Sequence, residues 1–156
     1  MKNLGTIKLG SKVMISDPCY GTIVWCNRVV NVKEGTYNCF VDIDKCNSNS
    51  LVTSLRVVHS DYPKKRCTEL IAYAGVDSGT CGIYDNEYYE KWHGEEEVDE
   101  KWYQDNVVSW VLKDVAHICD GFGVISSTYY GDGSYRVYAA KNNEGEIVGL
   151  KIDYNI

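Results

Sequence analysis

Apolar and polar positions alternate with period two over much of this chain, the spacing of strands that bury one face. The pattern is clearest over 121–154, GFGVISSTYYGDGSYRVYAAKNNEGEIVGLKIDY, where two glycine-bearing turns separate three runs of β-formers. The turns are Gly131-Asp132-Gly133 and Asn142-Asn143-Glu144-Gly145, and together they predict a C-terminal β-meander of three strands. In its last run Val148, Leu150, Ile152 and Tyr154 alternate with Ile147, Gly149, Lys151 and Asp153, so this strand is expected to be paired and central.

Upstream, Lys12-Val13-Met14-Ile15-Ser16 reads as a strand stopped by Asp17-Pro18, because proline has no ladder donor and restricts the residue before it. Over 36–44 Tyr37, Cys39, Val41 and Ile43 fall on one face, and Asn38, Asp42 and Asp44 on the other. A polar loop over 45–49 leads to a strand at 54–59, and 70–76 and 81–84 supply two more. The short apolar runs 22–26 and 29–32 fit a strand pair or a helical turn, since periodicity does not decide at that length.

From Asp85 the period changes. Asn86-Glu87-Tyr88-Tyr89-Glu90-Lys91-Trp92 follows a capping residue, and between 99 and 115 the residues Tyr103, Val107, Trp110 and Val111 repeat at helical spacing. His93-Gly94-Glu95-Glu96-Glu97 is the acidic loop between them. The expectation is a single α+β domain over 1–156: a mainly antiparallel β sheet, folded as a sandwich or half-barrel, with a helical insert at about 86–115.

Length and composition refine this picture. A chain of 156 residues buries a core without metals or staples. Sixteen Lys+Arg against 22 Asp+Glu leave a formal net charge of -6, which argues against a surface built for nucleic-acid phosphates. The Asp61-Tyr62-Pro63-Lys64-Lys65-Arg66 cluster reads as a solvated loop. The N-terminus has no apolar leader segment and no run has transmembrane length, so a soluble cytoplasmic protein with no membrane partner is expected. Seven cysteines without a CxxC pair or zinc spacing are read as small buried hydrophobes in the reduced state. Thirteen tyrosines and four tryptophans against two phenylalanines favour half-buried strands, clefts or contact surfaces.

Three bends are the candidate sites. Gly131-Asp132-Gly133-Ser134 is a hairpin turn whose amides would suit an anion, although it lacks the Lys-Ser/Thr and helix of a phosphate loop. Asp77-Ser78-Gly79-Thr80 follows a strand, as does Asp17, and carboxylates at strand ends border clefts or cap loops. Asp17, Asp77 and Asp132 would suit a cation with oxygen ligands if they met. Ser134, Tyr130 and Arg136 flank the hairpin with groups for a nucleotide-like ligand: hydroxyl and guanidinium for charge, a ring face for a base. No serine elbow, zinc-protease helix or cysteine–histidine pairing is legible.

Ser16-Asp17-Pro18-Cys19-Tyr20 with Trp25-Cys26, then Gly75-Val76-Asp77-Ser78-Gly79, then 127–138 together resemble a group of small bacterial and phage proteins. That group is built on a domain of unknown function with the same Val-Asp-Ser-Gly bend and Gly-Asp-Gly-x-Tyr hairpin. The resemblance implies a cytoplasmic, phage-encoded protein expressed in an infected host, and transfers no catalytic residue. The leading expectation is a non-enzymatic binding protein without a cofactor, an accessory or anti-defence factor. It would engage a host protein or sequester a small anionic nucleotide-like signal through Asp17, Asp77, Tyr130, Asp132, Ser134 and Arg136. The alternatives are a metal-assisted phosphoester hydrolase using Asp17, Asp77 and Asp132, and a structural protein that forms a homo-oligomer through its aromatic residues.

Overall fold

The computed structural model describes residues 1–46 and 49–155. Asn47 and Ser48, at the tip of the loop expected over 45–49, lie outside the described residues. The fold is α+β and dominated by antiparallel sheet. One sheet of six strands runs in the order β1-β4-β5-β11-β10-β6, formed by β1 Lys2–Leu9, β4 Gly35–Cys46, β5 Asn49–His59, β11 Ile147–Asp153, β10 Gly133–Lys141 and β6 Glu69–Val76. The second sheet runs β3-β2-β7-β9-β8, from β3 Arg28–Asn31, β2 Lys12–Ser16, β7 Thr80–Asp85, β9 Gly123–Ser127 and β8 Ala116–Cys119.

The two sheets face one another across the main core. Ile7, Cys39, Val41, Leu55, Val57 and Leu150 come from the first sheet; Val13, Ile15, Cys81, Ile83 and Val124 come from the second. The alternation read over 36–44 is the one observed: Tyr37, Cys39 and Val41 are fully buried, and Ile43 packs partly buried at the same core. On the outer face of the second sheet a smaller core gathers Met14, Tyr84 and Ile125 under Tyr88, Tyr89, Trp102 and Trp110 of the helical insert. The second sheet is therefore the middle of three layers. Its central strands bury both faces, so β7 reads as five buried residues in succession rather than as an alternation.

That burial corrects one expectation. The three C-terminal runs are all strands, but only β10 and β11 pair; β9 lies between β7 and β8 in the other sheet. Gly123, Val124, Ile125 and Ser126 are all buried, which suits a strand covered on both sides better than the first strand of a half-exposed meander. The segment 128–132 thus carries the chain from one sheet to the other.

The helical insert begins as expected with α1 Asn86–Trp92, capped by the Asp85 carboxylate on the Tyr88 amide. The second expected helix is shorter: α2 Glu100–Tyr103 passes into a π-helical turn over Gln104–Val108. Side chains draw the backbone out of the regular ladder there. Asn106 donates to the Trp102 carbonyl at 3.1 Å, Ser109 to the Asp105 carbonyl at 2.7 Å, and the Trp110 indole N–H to the Asn106 carbonyl. Among the described residues no helix is long and apolar enough to cross a membrane.

Candidate functional site

Asp17 follows the last residue of β2 and is fully buried. Its carboxylate is held by four donors. Oδ1 accepts the Cys19 amide at 2.8 Å and the Ser78 hydroxyl at 2.7 Å, and Oδ2 accepts the amides of Asp77 at 2.8 Å and Ser78 at 2.7 Å. A carboxylate offers about four lone-pair positions, so all are in use. The Asp17 carbonyl accepts the Tyr89 hydroxyl at 3.1 Å, which fastens the same residue to α1. Asp17 is a knot joining three parts of the chain distant in sequence.

The bend 77–79 is tied onward to the hairpin. Gly79 sits at φ +73°, a conformation favoured by glycine, and its carbonyl accepts the Thr128 amide at 3.1 Å. Thr128 and Tyr135 both donate to the Gly131 carbonyl, at 2.5 and 2.8 Å. The three bends singled out in the sequence therefore do gather at one end of the sandwich. Their carboxylates do not: Asp77 and Asp132 are exposed, while Asp17 is buried with its lone pairs committed to the protein. No group of three or more His, Cys, Asp or Glu side chains among the described residues is placed to hold a metal ion.

The other candidates divide similarly. Tyr130 is exposed and packs on Tyr129 with centroids 4.4 Å apart, and Arg136 is exposed on β10 opposite Tyr73 and Asp153. Of the six, Ser134 lines a cleft. Paired with Gly75, it forms one wall of a cavity of about 300 Å³ whose other walls include Tyr20, Trp25, Arg28 and Tyr73. Burial, the adjacent Cys26 thiol and the charges of Asp17 and Asp77 push the Tyr20 hydroxyl up from the ordinary phenol range, keeping it a neutral donor.

The cleft is built by the segment 18–27, a strap of turns; of the two runs 22–26 and 29–32, read as a strand pair or a helical turn, only the second lies in a strand, β3. The amides of Thr22 and Ile23 donate to the carbonyls of Gly94 and Glu95 at 2.9 and 3.2 Å. Asn27 bonds back to the Gly21 carbonyl at 3.0 Å, and Arg28 donates to the Trp25 and Asn27 carbonyls at 2.7 and 2.8 Å. Pro18 is held through its carbonyl by His93 Nε2 at 2.9 Å. Against β6 the strap comes so close that a Cβ on Gly75 would stand 2.6 Å from the Cβ of Cys26. This framework holds Trp25 85 % exposed and Ile23 exposed on the strap, with the exposed Tyr73 of β6 across the cleft from Trp25.

Trp25 and Tyr73 were not among the candidates read from sequence. The available signal was an apolar run bracketed by Gly21 and Asn27-Arg28 that satisfied neither strand nor helix periodicity. His93, buried and stacked on Tyr89 at 3.6 Å, was also passed over, because it stands in an acidic loop that reads as solvated.

Two further features are structural. Burial, reinforced by Asp17, pushes the Cys19 thiol up to about 12, so it stays protonated and is a poor nucleophile. A larger cleft of about 430 Å³ is lined by Asp99, Asp105 and Asp120 beside His117. Those carboxylates are engaged within the fold: Asp99 caps the Trp102 amide, Asp105 pairs with Lys101, and Asp120 accepts the Tyr88 hydroxyl. In comparisons with known proteins, no family model, no curated protein and no solved structure matches this chain.

Proposed function

We propose that this chain is a non-enzymatic binding protein that engages a protein partner through the Trp25–Tyr73 surface at the Asp17 end of the sandwich. The observation that carries this reading is Trp25, 85 % exposed on a strap whose own backbone is hydrogen-bonded on both sides. Leaving an indole in water forgoes the stabilisation of burying it, and indoles on rigid supports are the usual energetic centres of protein contacts. Tyr73, exposed on the same cleft, extends the apolar area, and the strap has little conformational entropy left to lose on binding.

The resemblance to bacterial and phage proteins gives the partner class: a host protein, with this chain a phage accessory or anti-defence factor in the host cytoplasm. A small anionic ligand is the second reading, favoured by Arg28 and Ser134 on the cleft walls. Metal-assisted phosphoester hydrolysis draws no support from the geometry, since Asp17 has no lone pair to give a cation without releasing the bend at 77–78.

The test is capture of host proteins on immobilised wild type and Trp25→Ala, with identification and reconstitution of any complex from purified components. A defined complex weakened by about tenfold or more in Trp25→Ala, at unchanged thermal stability, is the expected result. A thermal shift with a nucleotide panel, together with equal capture by both proteins, would replace the protein-partner reading with the small-ligand one.

A further inference from the structure

The partner surface includes a free strand edge. β6 is the last strand of its sheet, paired on one side with β10 and left open on the other. Along that open side the described residues supply one bond, from the Gly75 amide to the Cys26 carbonyl at 3.2 Å. Backbone groups alternate in direction along a strand, so Tyr73, two residues earlier, presents its N–H and C=O the same way as Gly75, outward. The strap thus supplies the first position of an added strand and then turns away, leaving 69–73 unmatched.

The composition of this edge is unguarded. Natural edges are blunted with lysine or proline; the opposite edge of the same sheet, β1, carries Lys2 and Lys8. In β6 the single charge is Glu69, already paired with Lys141 at 2.9 Å, and Leu70 and Tyr73 are each 46 % exposed. The Trp25 cleft opens at the end of this edge, with Tyr73 belonging to both.

We infer that β6 accepts an extended segment of the partner protein as a further strand, with one aromatic or large aliphatic side chain of that segment seated in the cleft of Tyr20, Trp25 and Tyr73. This rests on the protein-partner reading above and names the form the partner takes. Backbone bonds to Tyr73 give affinity, and the cleft selects the side chain. A second copy of this chain fits less well. Self-pairing of two edges about Ile71 brings Cys67 of one copy opposite position 75 of the other, where Cys26 already stands, so edge and strap compete for the same place.

The test uses a displayed library of random dodecapeptides selected on the intact chain. Enriched peptides with alternating apolar residues, whose binding slows amide exchange at Tyr73, are expected. Tyr73→Pro removes an outward N–H and leaves the bonds to β10, and should lower their affinity by about tenfold or more, as should Trp25→Ala. Should Tyr73→Pro lose its thermal transition, peptides N-methylated at single positions read the same bonds from the other side. Loss of binding at alternate positions supports strand addition, and tolerance at every position overturns it. Peptides that need Trp25 but bind Tyr73→Pro undiminished would overturn strand addition while leaving the Trp25 surface standing. Peptides indifferent to both changes, no enrichment at all, or a dimer of the chain that competes at this edge would overturn both.

Discussion

Asp17 does for the fold what sequence reading assigned it to do for a ligand. A buried carboxylate with four donors resembles a binding site from which the ligand's place has been taken by the protein's own bend. Asp17→Asn keeps the shape but turns an amide N–H₂ toward at least one facing donor. Unfolding in urea should show a loss of about 3 kcal/mol or more, because buried donors left unmatched cost on the order of 1–3 kcal/mol each. A loss below about 1 kcal/mol would show that these bonds are replaced by water. His93 predicts a pH dependence. Burial pulls its imidazole below the ordinary range, opposed by the carbonyls of Pro18 and Tyr89 that face its two ring nitrogens. The unfolded chain, titrating near the ordinary histidine value of about 6.5, then binds more protons than the folded one below that pH. The stability contribution is complete above about 6.5, declines as the pH falls toward the lowered folded value, and levels off beneath it. Urea midpoints measured across this range should show the decline in wild type, and His93→Gln should lack that component.

At the scale of elements, glycines separate the two constraints that shape the site. Gly75 is excluded from gaining a side chain by Cys26, whereas Gly79 has open space around it and is held instead by a positive φ. Gly75→Ala should cost about 1–3 kcal/mol, as overpacking does, and should shift Trp25 fluorescence by displacing the strap. Gly79→Ala should cost about 1 kcal/mol and leave that fluorescence unchanged. Strands with one wet face were legible in the sequence because burial imprints a period of two, and β4, β6 and β11 were read nearly to their ends; β2, buried on both faces, was legible from its apolar run and the Asp17-Pro18 stop. β1 was not, because a register shift between Asn3 and Gly5 breaks its alternation. The partner of β9 was hidden for a different reason: a strand buried on both faces shows an apolar run that carries no information about its neighbours. The three bends were found by their glycines and prolines. Trp25 and Tyr73 beside them were not, since their exposure is set by how far the strap is held away from the sheets.

For the whole molecule, the middle sheet sets the hierarchy of stability. It is covered by the first sheet on one side and the helical insert on the other, and β7 at its centre contributes to both cores. Backbone amides of β7 and β9 should therefore exchange slowest with solvent, and those of the 131–133 tip fastest. Comparable rates in both would show that the site and the core open together. The place of β11 between β5 and β10 has a consequence in time. When a ribosome has emitted everything up to residue 146, β1-β4-β5 and β10-β6 are two unjoined fragments, each with a raw edge awaiting the same strand. The seven residues of β11 close both gaps at once, so the first sheet is completed only after its other five strands have left the ribosome.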